Sequence, residues 1–381
     1  MPGPNTSPPV LSFPPEALVG SLGSLARELA CGTEVPEEFV FACALTALGA
    51  MCSGDLTIQV GLEVDPRLYT VLLGGSYDVK KSTAMRRTIE FFETLASSRM
   101  PHVMYGVGSA EGLARHLAEH RKVLLAFDEL RAFVDKTKVQ TSVLLPLAAS
   151  LYEQHDWENA TKDAQHDVSV RDARLSLLGC CTTDTYEQMW TSEAVAIGFP
   201  NRLFVVGADR KPKVAWPHPP NQSALSSIRA ELLQQIGKLP VSFEITAEAR
   251  TAWEGLYRCL PASEHAKRVD TLGFRLLALI ALATNKTAID SETVETVRLI
   301  LGYELKMREL TDPIDAENVI AKLEQKLRRV LTLKGPLKPR DLKKAVNAHR
   351  SGLWAFEKAI QNLKSAGEIT LNPSGAYELV Q

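Results

Sequence analysis

The chain has 381 residues, of which 45% are hydrophobic and 23% charged, with a formal net charge of -2. That length suggests two or three domains with material for a large core, and the composition is that of an ordinary soluble globular protein, so no exotic class is needed. A near-neutral charge exerts no global pull toward nucleic acid, so any DNA contact must come from a local concentration of Lys and Arg.

Residues 1–14 are proline-rich and lack the charged start and apolar core of a signal peptide, so they are expected to be a flexible N-terminal arm. Helical patterns over 15–30 and 37–51 form a helical preface, and a short strand is expected at 56–60. The most apolar helices, 38–52 and 272–283, are too short to span a bilayer and fit buried core helices; no membrane is expected. Six cysteines, at 31, 43, 52, 180, 181 and 259, have no Cys-x-x-Cys spacing. This argues against a zinc ribbon or disulfide framework and for a reducing, cytoplasmic location.

Residues 68–83, Leu-Tyr-Thr-Val-Leu-Leu-Gly-Gly-Ser-Tyr-Asp-Val-Lys-Lys-Ser-Thr, are an apolar run that breaks at two glycines and restarts as a helix. This reads as strand, phosphate loop and helix. A phosphate loop needs inward N–H groups at a helix start, a lysine for the outer phosphates and a hydroxyl for magnesium. Gly75, Lys81 and Ser82 stand at the first, seventh and eighth places of that pattern. With Ser76, Tyr77, Asp78, Val79, Lys80 and Thr83 they make up the expected ATP-binding segment. The sixth place, normally glycine, is Lys80, and Tyr77 and Asp78 fill an arc that usually carries small residues. A strand-turn-helix with surface lysines is the structural alternative.

A second stretch is expected beside the first. Residues 121–129, Arg-Lys-Val-Leu-Leu-Ala-Phe-Asp-Glu, form a buried-type strand ending in adjacent carboxylates. Asp128 is suited to hold magnesium through water, and Glu129 to polarise the water that attacks the terminal phosphate. Between the two stretches come a helix over 82–97, a brief strand at 102–105 and a glycine-rich turn, 106–113, that opens a helix; capping by Ser109 explains that turn as well.

A helix is predicted over 139–154. The polar segment 157–174 is either a solvated loop or a hairpin projecting Lys162, His166 and Arg171. Residues 174–184 form another buried strand ending in hydroxyls, with Thr183 placed to orient the attacking water. The final strand lies within 198–206. Arg202, just before it, is either an ordinary salt-bridging arginine or a finger inserted into a neighbouring subunit's phosphates. Alternation of strands and helices implies an α/β fold with a mostly parallel sheet covered on both faces and a nucleotide at the carboxyl ends of the strands. The ATPase core with its preface spans 15–210.

A proline-rich break at 211–220 leads to helices over 225–233, 247–259, 269–283 and 291–307, a helical lid over 221–312. Arg268 and Arg275 lie two turns apart on one helix face, pointing at a nucleotide or anchoring the helix. From 316 the composition changes: residues 319–364 hold twelve Lys or Arg and three Asp or Glu. Helices over 316–333, 339–346 and 353–365, followed by strands at 369–371 and 377–379, predict a winged helix over 316–381. Lys343, Lys344 and Arg350 are its candidate DNA contacts.

Taken together, these residues resemble the helicase branch of the AAA+ ATPases, particularly the minichromosome-maintenance type and the replication helicases of mobile genetic elements, over roughly residues 68–380. The resemblance implies Lys81 and Ser82 as the phosphate-loop pair and Asp128 and Glu129 as the acidic pair. Thr183 would be the first sensor, usually an asparagine there. Residues 108–113 look like the serine-then-glycine-leucine turn that follows a family hairpin near the pore. Asn201-Arg-Leu-Phe204 is similar to the arginine-finger segment, and Arg268 occupies the second-sensor place.

The implied cofactors are ATP and Mg2+, the metal held by Ser82 and Asp128. The implied assembly is a ring-shaped homo-oligomer, a hexamer favoured, whose pore grips single-stranded or forked DNA through Lys162 and Arg171. No N-terminal DNA-binding and ring-forming domain precedes the ATPase in this sequence, so loading is expected to depend on a primase or loader protein. The expected function is an ATP-dependent DNA translocase or helicase in the replication of a mobile element. The alternatives are an ATP-gated DNA-binding initiator or loader with weak hydrolysis, which the altered phosphate loop favours, and an interaction module with a structural ATPase core.

Overall fold

An unbroken apolar run such as Tyr69–Leu73 has no polar face to offer water, and a parallel sheet buried on both sides is where such a run is stable. The computed structural model, which describes residues 11–75, 79–96, 98–139, 142–159, 168–313 and 319–380, places it there. The chain falls into two compact units, Val10–Met307 and Arg308–Gln381.

The first unit opens with α1 (Gly20–Ala30), α2 (Glu37–Cys52), β1 (Leu56–Ile58), β2 (Tyr69–Leu73), α3 (Lys81–Leu95), β3 (His102–Met104), α4 (Ala110–His120) and β4 (Lys122–Phe127). It continues through α5 (Arg131–Thr137), α6 (Leu144–Glu153), β5 (Trp157–Asn159), β6 (Val168–Val170), β7 (Arg174–Cys181), α7 (Thr183–Met189), α8 (Ser192–Ala196) and β8 (Leu203–Gly207). Then follow α9 (Gln222–Ile236), β9 (Val241–Phe243), α10 (Ala247–Arg258), α11 (Val269–Ala283) and α12 (Ser291–Thr311), which runs into the second unit.

The central sheet has the order β3-β4-β7-β2-β8, and every pair is parallel. The expected α/β fold with a parallel sheet is therefore present. The acidic strand, however, is not the neighbour of the phosphate-loop strand: β7 lies between them. Both β4 and β7 are uniformly apolar and suit an interior position equally well, so strand composition does not decide which one crosses next to β2.

Helix α2 is buried on all sides from Phe39 to Cys52, as an apolar helix without a polar stripe must be. It packs on α3 and across β2, β4, β7 and β8. The segment read as a preface thus covers one face of the sheet. A Cβ on Gly49 would lie 2.4 Å from the Pro66 carbonyl oxygen, so glycine lets α2 approach the segment leading into β2. A buried Thr46–Thr70 hydroxyl contact of 2.7 Å joins helix and strand. The expected helix over 15–30 starts only at Gly20, whose positive φ breaks it from a preceding turn of 3-10 helix.

The outer edge of β8 is closed by α12. The Glu304 carboxylate accepts from the Val205 N–H at 3.2 and 3.0 Å, and the Tyr303 hydroxyl both accepts from the Gly207 N–H (2.8 Å) and donates to the Gly207 carbonyl (3.0 Å). Side chains here complete a ladder that has no further strand. Tyr303→Phe keeps the edge-to-face packing on Phe13 but strands both Gly207 groups. It is expected to cost about 1–3 kcal/mol, measured as a lower urea midpoint; an unchanged midpoint would contradict this account of the edge.

The helices after residue 221 pack within the same first unit, α9 and α11 against α1. β1 pairs in parallel with β9, and β5 with β6 as an antiparallel hairpin, the second of the two readings of 157–174. The helix expected over 139–154 is shorter, Leu144–Glu153, with a separate α5 before it.

The second unit contains α13 (Val319–Lys334), α14 (Pro339–Ala345), α15 (Ala348–Ser351), α16 (Leu353–Ser365) and the antiparallel pair β10 (Ile369–Leu371) and β11 (Tyr377–Leu379). Leu323, Leu327 and Leu331, spaced by one helical turn, meet Phe356, Ile360 and Leu363 in its core. Among the described residues, no helix is long and apolar enough to cross a membrane.

Candidate active site

The carboxyl edge of the sheet collects the expected phosphate-loop and acidic residues. In register, Leu73 of β2 faces Cys181 of β7, and Gly179 faces Phe127 of β4, so Gly74, Thr182 and Asp128 leave their strands at one edge. The Leu130 N–H donates to the Cys180 carbonyl at 2.8 Å, tying the turn after β4 to β7.

Lys81 opens α3 and is 9% exposed. Its ammonium donates to the Gly74 and Gly75 carbonyls, each at 3.0 Å, and burial pushes its pKa down. Val79 folds under Gly74, where an added Cβ would lie 3.0 Å from the valine side chain. Lys80, at the place usually held by glycine, has φ -77°, which any residue adopts, so it carries no left-handed strain. Its ammonium lies 3.6 Å from Glu34, whose carboxyl is held below its usual range by the Val214 N–H and by Lys80. Ser76, Tyr77 and Asp78 lie outside the described residues, as do Lys162 and His166.

Beside Lys81, Ser82 neighbours the Cys180 thiol, and the Cys181 thiol donates to Glu129 Oε1 at 3.4 Å. Burial is the main cause that pushes Cys180 up to about 12 and raises Cys181 as well, so both stay protonated at neutral pH. Asp128 and Glu129 are exposed. The edge therefore presents an ammonium, a hydroxyl and two carboxylates around two neutral thiols. The two cysteines were read from sequence only as strand residues; their place just before the terminal hydroxyls of a buried strand was the available signal.

Thr183 is not at the strand end. β7 stops at Cys181, Thr182 caps α7 by accepting from the Thr185 N–H at 3.2 Å, and Thr183 is the first helical residue. A Thr-Thr pair after a buried strand is as good a helix start as a strand end, and capping wins. Thr83 is half-buried in the first turn of α3.

Three arginines lie at the opposite, amino-terminal end of the sheet. Arg202 precedes Leu203, the partner of Tyr69, so it is separated from the carboxyl edge by the length of β2, roughly 13 Å for five residues. It is 8% exposed; its Nη1 donates to the Ile197 and Gly198 carbonyls, both at 2.9 Å, and burial pushes its pKa down. Arg268, in a left-handed conformation before α11, hydrogen-bonds Glu153, and the same carboxylate lies 3.7 Å from Arg202 Nε. Arg275 is an anchor: it is buried, donates to the Arg67 and Tyr152 carbonyls at 2.5 Å each and stacks 3.8 Å from the centre of the Tyr152 ring. Glu153, the residue that joins Arg202 to Arg268, escaped sequence reasoning because nothing in a helix-ending glutamate marks it.

Arg171, at the base of the β5–β6 hairpin, pairs with Asp156 (3.4 Å) and Glu158 (2.9 Å). In the second unit Lys343 lies 3.8 Å from Glu357, whereas Lys344 is exposed and outside any ion pair among the described residues. The backbone of Arg350 belongs to α15. Exposed Lys322, Lys338, Arg340 and Lys358 likewise have no ion-pair partner among the described residues.

No protein-family model matches the chain, and no match was found among curated proteins. The site is therefore read from its own chemistry. Its donors fit a magnesium-bound triphosphate: a buried lysine that donates to carbonyls among the described residues, a hydroxyl in the first turn of a helix and carboxylates within the same edge.

Proposed function

We propose that the chain is an ATP-hydrolysing DNA translocase or helicase of the AAA+ helicase branch, working as a ring in replication. The observation that carries this reading is the segregation of groups to the two ends of one parallel sheet. Lys81, Ser82, Asp128 and Glu129 meet at the carboxyl edge, whereas Arg202 and Arg268 share Glu153 at the other. That Arg202 and Arg268 cannot reach their own chain's lysine supports a role for them at another copy's site, and a head-to-tail ring would repeat such a contact until it closes.

In this reading the ATP phosphates take the Lys81 hydrogen bonds now made to Gly74 and Gly75, and Ser82 and Asp128 would hold a magnesium ion, which would supply charge to offset that of the phosphate oxygens. Glu129, oriented by the Cys181 thiol, holds the attacking water and draws off its proton. Phosphoryl transfer depends mainly on positioning and charge, so a distant guanidinium supplied by a neighbour makes hydrolysis conditional on assembly. The β5–β6 hairpin and the basic second unit, as a winged helix, are the DNA-contacting parts.

A second reading, an ATP-gated initiator or loader with weak hydrolysis, is favoured by Lys81 and Arg202 both being turned onto backbone carbonyls of their own loops. The two separate on one measurement: ATP turnover of the full chain with and without forked DNA, beside its mass in the presence of a non-hydrolysable ATP analogue. DNA-stimulated turnover by a ring supports the translocase. ATP-dependent DNA binding with no stimulation supports the loader.

A further inference from the structure

Three histidines meet at the side of the sheet away from β8. His102 lies on the edge strand β3, and His116 and His120 lie one turn apart on α4. Their rings are stacked, His102 on His120 at 4.0 Å and 12°, and His102 to His116 at 5.3 Å and 11° between centroids. One nitrogen from each lies within 4.8 Å of the other two.

A neutral stack alone would leave a fault. His116 Nδ1 is buried and has no hydrogen-bond partner among the described residues, and an unsatisfied buried polar atom costs about 1–3 kcal/mol. The Glu119 carboxylate lies 3.7 Å from His120.

We propose that His102, His116 and His120 bind a divalent transition-metal ion. Imidazole nitrogen suits zinc, copper and nickel, and three histidines with water as a fourth ligand are an established zinc donor set. Three atoms no more than 4.8 Å apart share a point within about 2.8 Å of each, so closure by about 0.7 Å brings every nitrogen to the zinc–imidazole distance. The lone pairs of parallel rings lie in parallel planes that do not meet at one point, so coordination requires the rings to turn about χ2, a soft torsion in histidine.

The position at the last turn of α4 favours a cation, because the helix dipole is negative there. The basic residues on the same face are offset. Arg99 and Lys122 pair with Asp55 at 2.9 and 3.9 Å, and Arg121 with Asp172 at 3.6 Å. A bound ion would tie the edge strand to α4.

The test uses the full chain, stripped with a chelator, with the exposed thiols Cys31 and Cys259 changed to serine. Titration with zinc chloride by calorimetry is expected to give one ion per chain, and Co2+ the visible absorption of a low-coordinate nitrogen site. His102→Ala and His116→Ala are each expected to weaken zinc binding at least about tenfold. Unchanged affinity and stoichiometry in both overturns the site. His116→Gln guards against a folding defect: at an unperturbed metal-free Tm it is expected to lose the zinc-induced rise in Tm seen in the parent. Retention of that rise overturns the proposal equally.

Discussion

Glu129→Gln is expected to lower ATP turnover about 10²–10⁴-fold, the range for loss of a general base, while ATP binding stays within a few-fold of the parent. The glutamine side chain is nearly isosteric and accepts a hydrogen bond from the Cys181 thiol through its carbonyl oxygen, so the carboxyl edge keeps its geometry. Lys81→Ala should behave differently. It removes the ammonium that lies over Gly74 and Gly75, and both nucleotide affinity and turnover should fall, turnover by about 10²–10³-fold as for other preorganised electrostatic groups. Nucleotide-binding and single-turnover assays separate the two. Equal loss of binding in both variants, or full turnover in either, would show that hydrolysis does not occur at this edge.

The convergence of Lys81, Ser82, Asp128 and Glu129 was legible because each lies at the end of a run whose direction is fixed: an apolar strand gives way to glycines or carboxylates, and parallel strands put such ends on one side. Strand order was not legible, since β4 and β7 are chemically alike and only the crossovers decide that β7 lies between β2 and β4. The helices and strands of the second unit were legible to within about three residues, apart from α15, although the unit begins at Arg308 and not at 316. Its boundaries rest on local turns, with Gly335 and Gly352 at positive φ and Asn372 accepting from the Ser374 and Ala376 N–H groups. The helix start at Thr183 was not legible, because capping and strand-ending use the same residues. The three-histidine group was not read from the sequence: its local trace is no more than the four-residue spacing of His116 and His120, and its third member comes from a strand whose place at the sheet edge is a tertiary fact.

Arg202→Ala is expected to reduce ATP hydrolysis by about three to five decades, the effect of losing an arginine that a neighbour supplies. Arg202 reaches no group at its own carboxyl edge, so the loss should show only where chains assemble, and a mixture of variants reveals it. An Arg202→Ala subunit retains Lys81, and a Lys81→Ala subunit retains Arg202. In rings mixed one to one, about a quarter of the interfaces pair an intact lysine with an intact arginine, and activity should return to about that fraction of the parent's. Neither variant alone should recover. The recovery also distinguishes loss of a finger from loss of folding, because Arg202 supports the Ile197 and Gly198 carbonyls and a misfolded subunit has no Lys81 site to lend. Glu153 sets the remaining condition: it holds Arg202 Nε at 3.7 Å and also binds Arg268, so a neighbour's phosphates must outcompete one carboxylate for both guanidiniums. Mixed assemblies of full size with no recovered hydrolysis would remove the shared site, and with it the ring motor.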